Sequence, residues 1–305
     1  MMSVSITFKR CWHAILSTWQ VISMSVSVRP GEDLAVTWKS LLVHLKPHTE
    51  NSAALASALS VAKTFEASLT GLYAMRELAM LKLVIGPDSA AAREAEARDA
   101  PLVRATQDQF LKACADAGVA GSFEVAEGNS NELLCLAGRV HDALFVDAGG
   151  SLDGRGGDLV EECAITAGTP TIIVPQTGAK LFGKCIVVAW NHSRQSAAAV
   201  HAALPLIERA ENVIVLLGQQ RDALPSVTRR PRADIEDYLR RHNPNVRVSP
   251  FEERDSSSLQ TAALAAGGDL LVMGAYGRSA WREFLFGGAT RAVVNDLRLP
   301  VLMAH

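Results

Sequence analysis

The chain has 305 residues, 49% of them hydrophobic and 20% charged, enough apolar material for a sizeable core and a natural length for two domains. A formal net charge of −2 gives no electrostatic ground for a nucleic acid or anionic membrane partner. The five cysteines, at 11, 114, 135, 163 and 185, are widely spaced with no C-x-x-C pair, which predicts reduced, mostly buried thiols rather than a disulfide frame or zinc site. His44 and His48 are four apart, but Pro47 argues against the helix that would place them on one face.

Residues 1–36 carry Lys9 and Arg10 ahead of a mildly apolar run that faintly resembles a signal peptide. The run is broken by His13, Ser17, Thr18 and Gln20 and is too short and polar to span a bilayer. The expectation is a poorly ordered extension, with Met24 a candidate start.

From Lys39 onward short β-branched runs alternate with helical patterns, which predicts βαβ units and a parallel sheet. Strands are predicted near 40–45, 69–75, 121–126, 143–147 and 171–174. A second set is predicted near 184–190, 212–217, 245–249, 269–273 and 300–304. The two sets repeat one another. KSLLVHLKPHTENSAAL at Lys39 parallels KCIVVAWNHSRQSAAAV at Lys184, Asp142 parallels Asp269, and TPTIIVP parallels LPVLMAH. The predicted class is therefore α/β, with two tandem doubly wound, five-stranded parallel-sheet domains of Rossmann-like type. Their expected ranges are 37–176 and 183–305, joined through PQTGAKLFGK, and each domain is expected to hold its own sheet.

In such sheets ligands bind beyond the carboxyl ends of the strands, where strand order reverses. Leu270 to Val294 reads LLVMGAYGRSAWREFLFGGATRAVV, a strand, a glycine loop and a helical pattern. Gly274 sits at the strand end, where the lack of a Cβ would let a ligand approach. Gly287, Gly288 and Thr290 sit where helix-start amides would favour an anion.

The spacing Gly274-x2-Gly277-x9-Gly287 closely resembles the G-x2-G-x9-G-(S/T) signature of the universal stress protein family, and the internal repeat resembles its tandem members. The resemblance runs from about Lys39 to His305. It implies an adenine nucleotide, ATP, as the ligand, no metal of its own, and a stress-response or regulatory role without catalysis. It also implies a cytoplasmic protein whose halves pack as an internal pseudo-dimer, with a further homodimer as an option. The nucleotide-binding residues carried over are Asn191, Ser193, Gly274, Gly277, Arg278, Gly287, Gly288 and Thr290.

Two departures weaken the expected binding. Gly288 stands where the signature has a hydroxyl residue, and Asn191-His192-Ser193 replaces an Asp-Gly-Ser turn. The first half departs further, because Asp147 falls at the position of Gly274 and Asp153 and Asp158 follow. Carboxylates there would repel a triphosphate, so no phosphate site is expected in that half.

Other readings stay open: a nucleotide-using enzyme of the same architecture, such as an ATP pyrophosphatase, or a scaffold that binds no nucleotide. No Ser–His–Asp set, carboxylate pair or Walker lysine supports catalysis, and Glu283 beside the glycine loop does not supply one. The arginine-rich SVTRRPRADIEDYLRRHN is expected to be a solvated helix with ion pairs.

Overall fold

The structure is a computed structural model, and the residues it describes are 37–47, 52–148, 157–176, 182–218, 234–251, 258–275 and 297–305. The expected N-terminal extension therefore lies outside the described residues. The strands of the first half are β1 (Ser40–Leu45), β2 (Ser68–Met75), β3 (Gly121–Glu127), β4 (Ala143–Asp147) and β5 (Thr171–Val174). Its helices are α1 (Ala53–Phe65), α2 (Arg76–Ile85), α3 (Ala90–Ala117), α4 (Ser130–Gly138) and α5 (Gly157–Thr166). The second half has β6 (Cys185–Trp190), β7 (Asn212–Leu217), β8 (Val246–Pro250), β9 (Leu270–Gly274) and β10 (Val301–Ala304). Its helices are α6 (Arg194–Ile207), α7 (Ile235–Arg240) and α8 (Ser258–Ala265). Every strand lies within about a residue of its expected range, because short runs bounded by turn residues, most of them buried, leave little freedom.

The expectation of a separate sheet in each half is corrected. Among the described residues, all ten strands form one sheet in the order β3-β2-β1-β4-β5-β10-β9-β6-β7-β8. Within each half the strands are parallel, and the halves meet where β10 pairs antiparallel with β5, Val301 opposite Ile173 and Met303 opposite Thr171. The burial pattern gives the reason. Both joining strands are buried at all four positions, whereas the outer strands β3 and β8 are largely exposed. An apolar strand left as a free edge would expose an unpaired ladder, so the two apolar edges satisfy each other and the polar strands face water.

Side-chain alternation divides the core between the two faces of this sheet. Leu41, Val43 and Leu45 of β1 join one apolar layer, while Leu42 joins the other. The first layer runs across the junction, from Phe65 and Phe110 through Ile172 and Leu302 to Val188 and Val200. Across the same boundary the Arg209 guanidinium stacks on the Phe65 ring at 4.7 Å.

The repeated aspartates have one job in both halves. Asp142 Oδ2 accepts from the amides of Lys39 and Ser40 at 2.6 and 2.9 Å, fixing the entry to β1. Asp269 accepts from the amides of Gly183, Lys184 and Cys185 at 2.9, 2.9 and 3.2 Å, fixing the entry to β6. A carboxylate that gathers several amides replaces their lost water and locks the register of the two central strands.

The arginine-rich segment is described only from Asp234 onward, so Arg229, Arg230 and Arg232 lie outside the described residues. Asp234 caps α7, and Arg240 pairs with Glu236 at 2.6 Å, as a solvated helix should.

Candidate functional site

In each half the strand order reverses between two neighbouring central strands, β1 and β4 in the first and β6 and β9 in the second. The carboxyl ends of these strands therefore flank the crevice where this architecture takes ligands. In the second half the chain leaves β6 at Trp190 and turns through Asn191 and His192 into α6. His192 takes a left-handed φ of 64°, a conformation rare outside glycine and asparagine.

The turn is held by side chains. Asn191 Oδ1 accepts from the Ser193 amide at 3.2 Å. Ser193 is the N-cap of α6, its Oγ accepting from the Ser196 amide at 3.1 Å. Ser196 Oγ returns a bond to the Ser193 carbonyl at 2.9 Å. Together Ala189, Asn191, Ser193, Gln195, Ser196, Met273 and Gly274 line an open recess. No carboxylate is among these residues.

Gly274 closes the other wall, and its role differs from the one the sequence suggests. A Cβ at Gly274 would lie 2.5 Å from the Gln195 carbonyl carbon and 2.6 Å from the Ser196 nitrogen. These are backbone atoms of the first turn of α6 and cannot swing aside. The absent side chain lets the strand end press against the helix start, a packing role that holds the recess at its present width.

Of the expected nucleotide contacts, the structure brings together Asn191, Ser193 and Gly274. Gly277, Arg278, Gly287, Gly288 and Thr290 lie outside the described residues, as do Trp281 and Glu283.

The matching place in the first half is built differently. Asp147 ends β4 in ladder register with Val174, as Gly274 ends β9 in register with Ala304. Its carboxylate reaches the start of α1, accepting from Ser52 Oγ at 2.7 Å and from the Ala54 amide at 2.9 Å. Ser52 is itself the N-cap, accepting from the Leu55 amide at 3.0 Å. The chain thus supplies its own anion to this helix start, satisfying amides and the positive end of the helix dipole.

Lys46 stands near Asp147. Burial pulls its ammonium below the ordinary lysine range, and the Asp147 charge opposes that pull. His44, two residues before Lys46 and 4% exposed, is driven by burial and then by Lys46 down to a pKa of about 3, so it is neutral. The self-capping role of Asp147 was accessible to sequence reasoning only as a misplaced charge. The signal was there in the Asn-Ser pair ahead of an alanine-rich helix, but nothing local names the carboxylate that would reach it.

Among the described residues no group of His, Cys, Asp and Glu side chains is arranged to hold a metal ion. None of the described helices is long and apolar enough to cross a membrane.

These features define a doubly wound α/β protein with its crevices at the reversal points of strand order. Residues 184–305 match the model of the universal stress protein family. Among solved structures, a universal stress protein from Archaeoglobus fulgidus DSM 4304 superposes with a TM-score of 0.62 at 12% identity, covering 88% of this chain and 96% of that one. At such identity the likeness is one of fold, and it extends over both halves. A functionally unknown protein from Pseudomonas aeruginosa PAO1 gives 0.49 at 14% identity over 88% of this chain and 92% of that one. A universal stress protein in complex with cAMP gives 0.34 at 21% identity over 46% of this chain and 98% of that one. Among curated proteins none matches the sequence at a significant level.

Proposed function

We propose that this is a non-catalytic regulatory protein of the universal stress protein family that binds one adenine nucleotide per chain, in its second half. We take the chain to be cytoplasmic and to consist of two family domains, 37–176 and 183–305, after an N-terminal extension. The observation that carries the reading is the contrast between the two helix starts. In the first half Asp147 already occupies the cap of α1. In the second half uncharged groups of Asn191, Ser193 and Ser196 surround the start of α6, and the recess beside it is open.

A dipole end without its own carboxylate favours a phosphate. The glycine-rich signature adds backbone donors from the same side in the sequence reading. The halves, joined through β5 and β10, act as an internal pair in which one member binds and the other supports.

A second reading has its own observation. Gly274 is required by the packing of α6, so its presence is explained without any ligand. On that reading the protein is a scaffold or sensor that takes no nucleotide.

Mass spectrometry of protein purified without added ligand separates the two, followed by calorimetry with ATP. One site per chain supports nucleotide binding in the second half. Two equivalent sites overturn the asymmetry, and no detectable binding leaves the scaffold reading.

A further inference from the structure

Cys135 of α4 and Cys163 of α5 are separated by 28 positions in sequence, yet their Sγ atoms lie 3.8 Å apart. Both are free thiols inside the apolar layer on one face of the sheet, Cys135 at 5% and Cys163 at 0% exposure. A third group completes the cluster. Thr166 Oγ1 lies 3.0 Å from Cys135 Sγ and 2.6 Å from the Glu162 carbonyl oxygen, sharing one proton between them.

We propose that Cys135 and Cys163 form a redox site that hydrogen peroxide closes into an intramolecular disulfide, tying α4 to α5.

Disulfide closure requires the sulfurs to reach about 2.05 Å, a shared approach of roughly 1.8 Å. Distinct roles follow from the surroundings. A thiolate at Cys135 accepts from the Cys163 thiol and from Thr166, which brings Cys135 down to about 7 against the opposing effect of burial. The same contact and deeper burial push Cys163 up, as does the nearby Glu162. Cys135 is therefore the attacking sulfur and Cys163 the resolving one.

In the first step the Cys135 thiolate attacks one peroxide oxygen. The O–O bond breaks, Cys135 becomes a sulfenic acid, and the departing hydroxide takes up a proton as water. In the second, the Cys163 sulfur attacks the sulfenic sulfur, the S–O bond breaks, and the hydroxide leaves with the Cys163 proton as a second water. Two thiols lose two protons and two electrons, and one peroxide becomes two waters.

The test uses the full reduced chain, treated with excess hydrogen peroxide, alkylated under denaturing conditions and mapped by peptide mass spectrometry. The expected product is a peptide containing Cys135 joined to one containing Cys163 within the same chain, less two hydrogens. Cys163→Ala is expected to lose the cross-link and to accumulate a dimedone-reactive sulfenic acid at Cys135. Thr166→Val is expected to slow closure severalfold without abolishing it.

If both cysteines of wild-type protein that was folded during peroxide treatment are still alkylated on denaturation, the proposal is overturned. A cross-link to a different cysteine, or between chains, overturns it as well. Wild-type mapping decides the matter even if a variant fails to fold.

Discussion

The Asp147 carboxylate accepts a hydrogen bond from Ser52 Oγ at 2.7 Å, bridging the end of β4 to the cap of α1 across 95 positions of sequence. The same carboxylate also accepts from the Ala54 amide at 2.9 Å. This bridge distinguishes the first half from the second, where Ser193 caps the matching helix and no carboxylate is among the residues lining the recess. It gives the start of α1 an anion from the chain itself, and it can be removed by a single substitution.

Asp147→Ala removes a charged acceptor from two donors and leaves the start of α1 to water. The expected loss is about 1.5–3 kcal/mol of stability, the range for hydrogen bonds to charged groups. Urea unfolding followed by circular dichroism measures it. A change below about 0.5 kcal/mol, the scale of an ordinary surface substitution, shows that the bridge contributes nothing to folding.

Gly274→Val tests the packing account of that glycine. Its Cβ would meet the backbone of Gln195 at 2.5 Å, and α6 must shift to admit it. Overpacking of this kind costs typically about 1–3 kcal/mol, so a lower midpoint in thermal unfolding is expected whether or not a ligand is present. An unchanged midpoint would mean that the strand end and helix are not held in this contact.

His44 predicts the acid behaviour. Unfolded, its imidazole takes up a proton near the ordinary 6.5; folded, it does so only near 3. Between those values the unfolded chain binds the extra proton, so stability falls as pH falls through this window. The slope from this one group is about 1.4 kcal/mol per pH unit. His44→Leu removes the titration, and its stability curve between pH 6 and pH 4 is expected to be shallower by about that amount. Equal slopes in denaturant titrations of the two proteins would refute the assignment.

The nucleotide reading makes a gain-of-affinity prediction. Gly288→Ser restores the hydroxyl that the family signature carries after its third glycine. One hydrogen bond to a phosphate oxygen is worth about 1.5–3 kcal/mol, roughly tenfold or more in affinity. Calorimetry with ATP reads the ratio. A folded variant with unchanged affinity, against a wild type that binds, rules out the hydroxyl account.

The sequence by itself determined the elements. The eight inner strands were legible as short apolar runs between turn residues, because both faces of the sheet are covered there, while the more exposed edge strands β3 and β8 were legible from the βα alternation around them. The internal repeat was legible too, since Asp142 and Asp269 recur at the same step in each half. Of the candidate site, Asn191 and Ser193 were reached through the family resemblance, which places a binding turn after the first strand of a domain.

What only the tertiary structure decided is who pairs with whom. Backbone edges carry no sequence label, so the antiparallel join of β5 to β10 could not be read from periodicity. The contact of Gly274 with α6 spans 79 positions (274 − 195), and the bridge from Asp147 to Ser52 spans 95. The two sulfurs 28 positions apart are likewise neighbours only because α4 and α5 pack on one face of the sheet. Local propensity fixes what a segment becomes, but contacts at such separations are fixed by packing, where loop closure and burial are settled together.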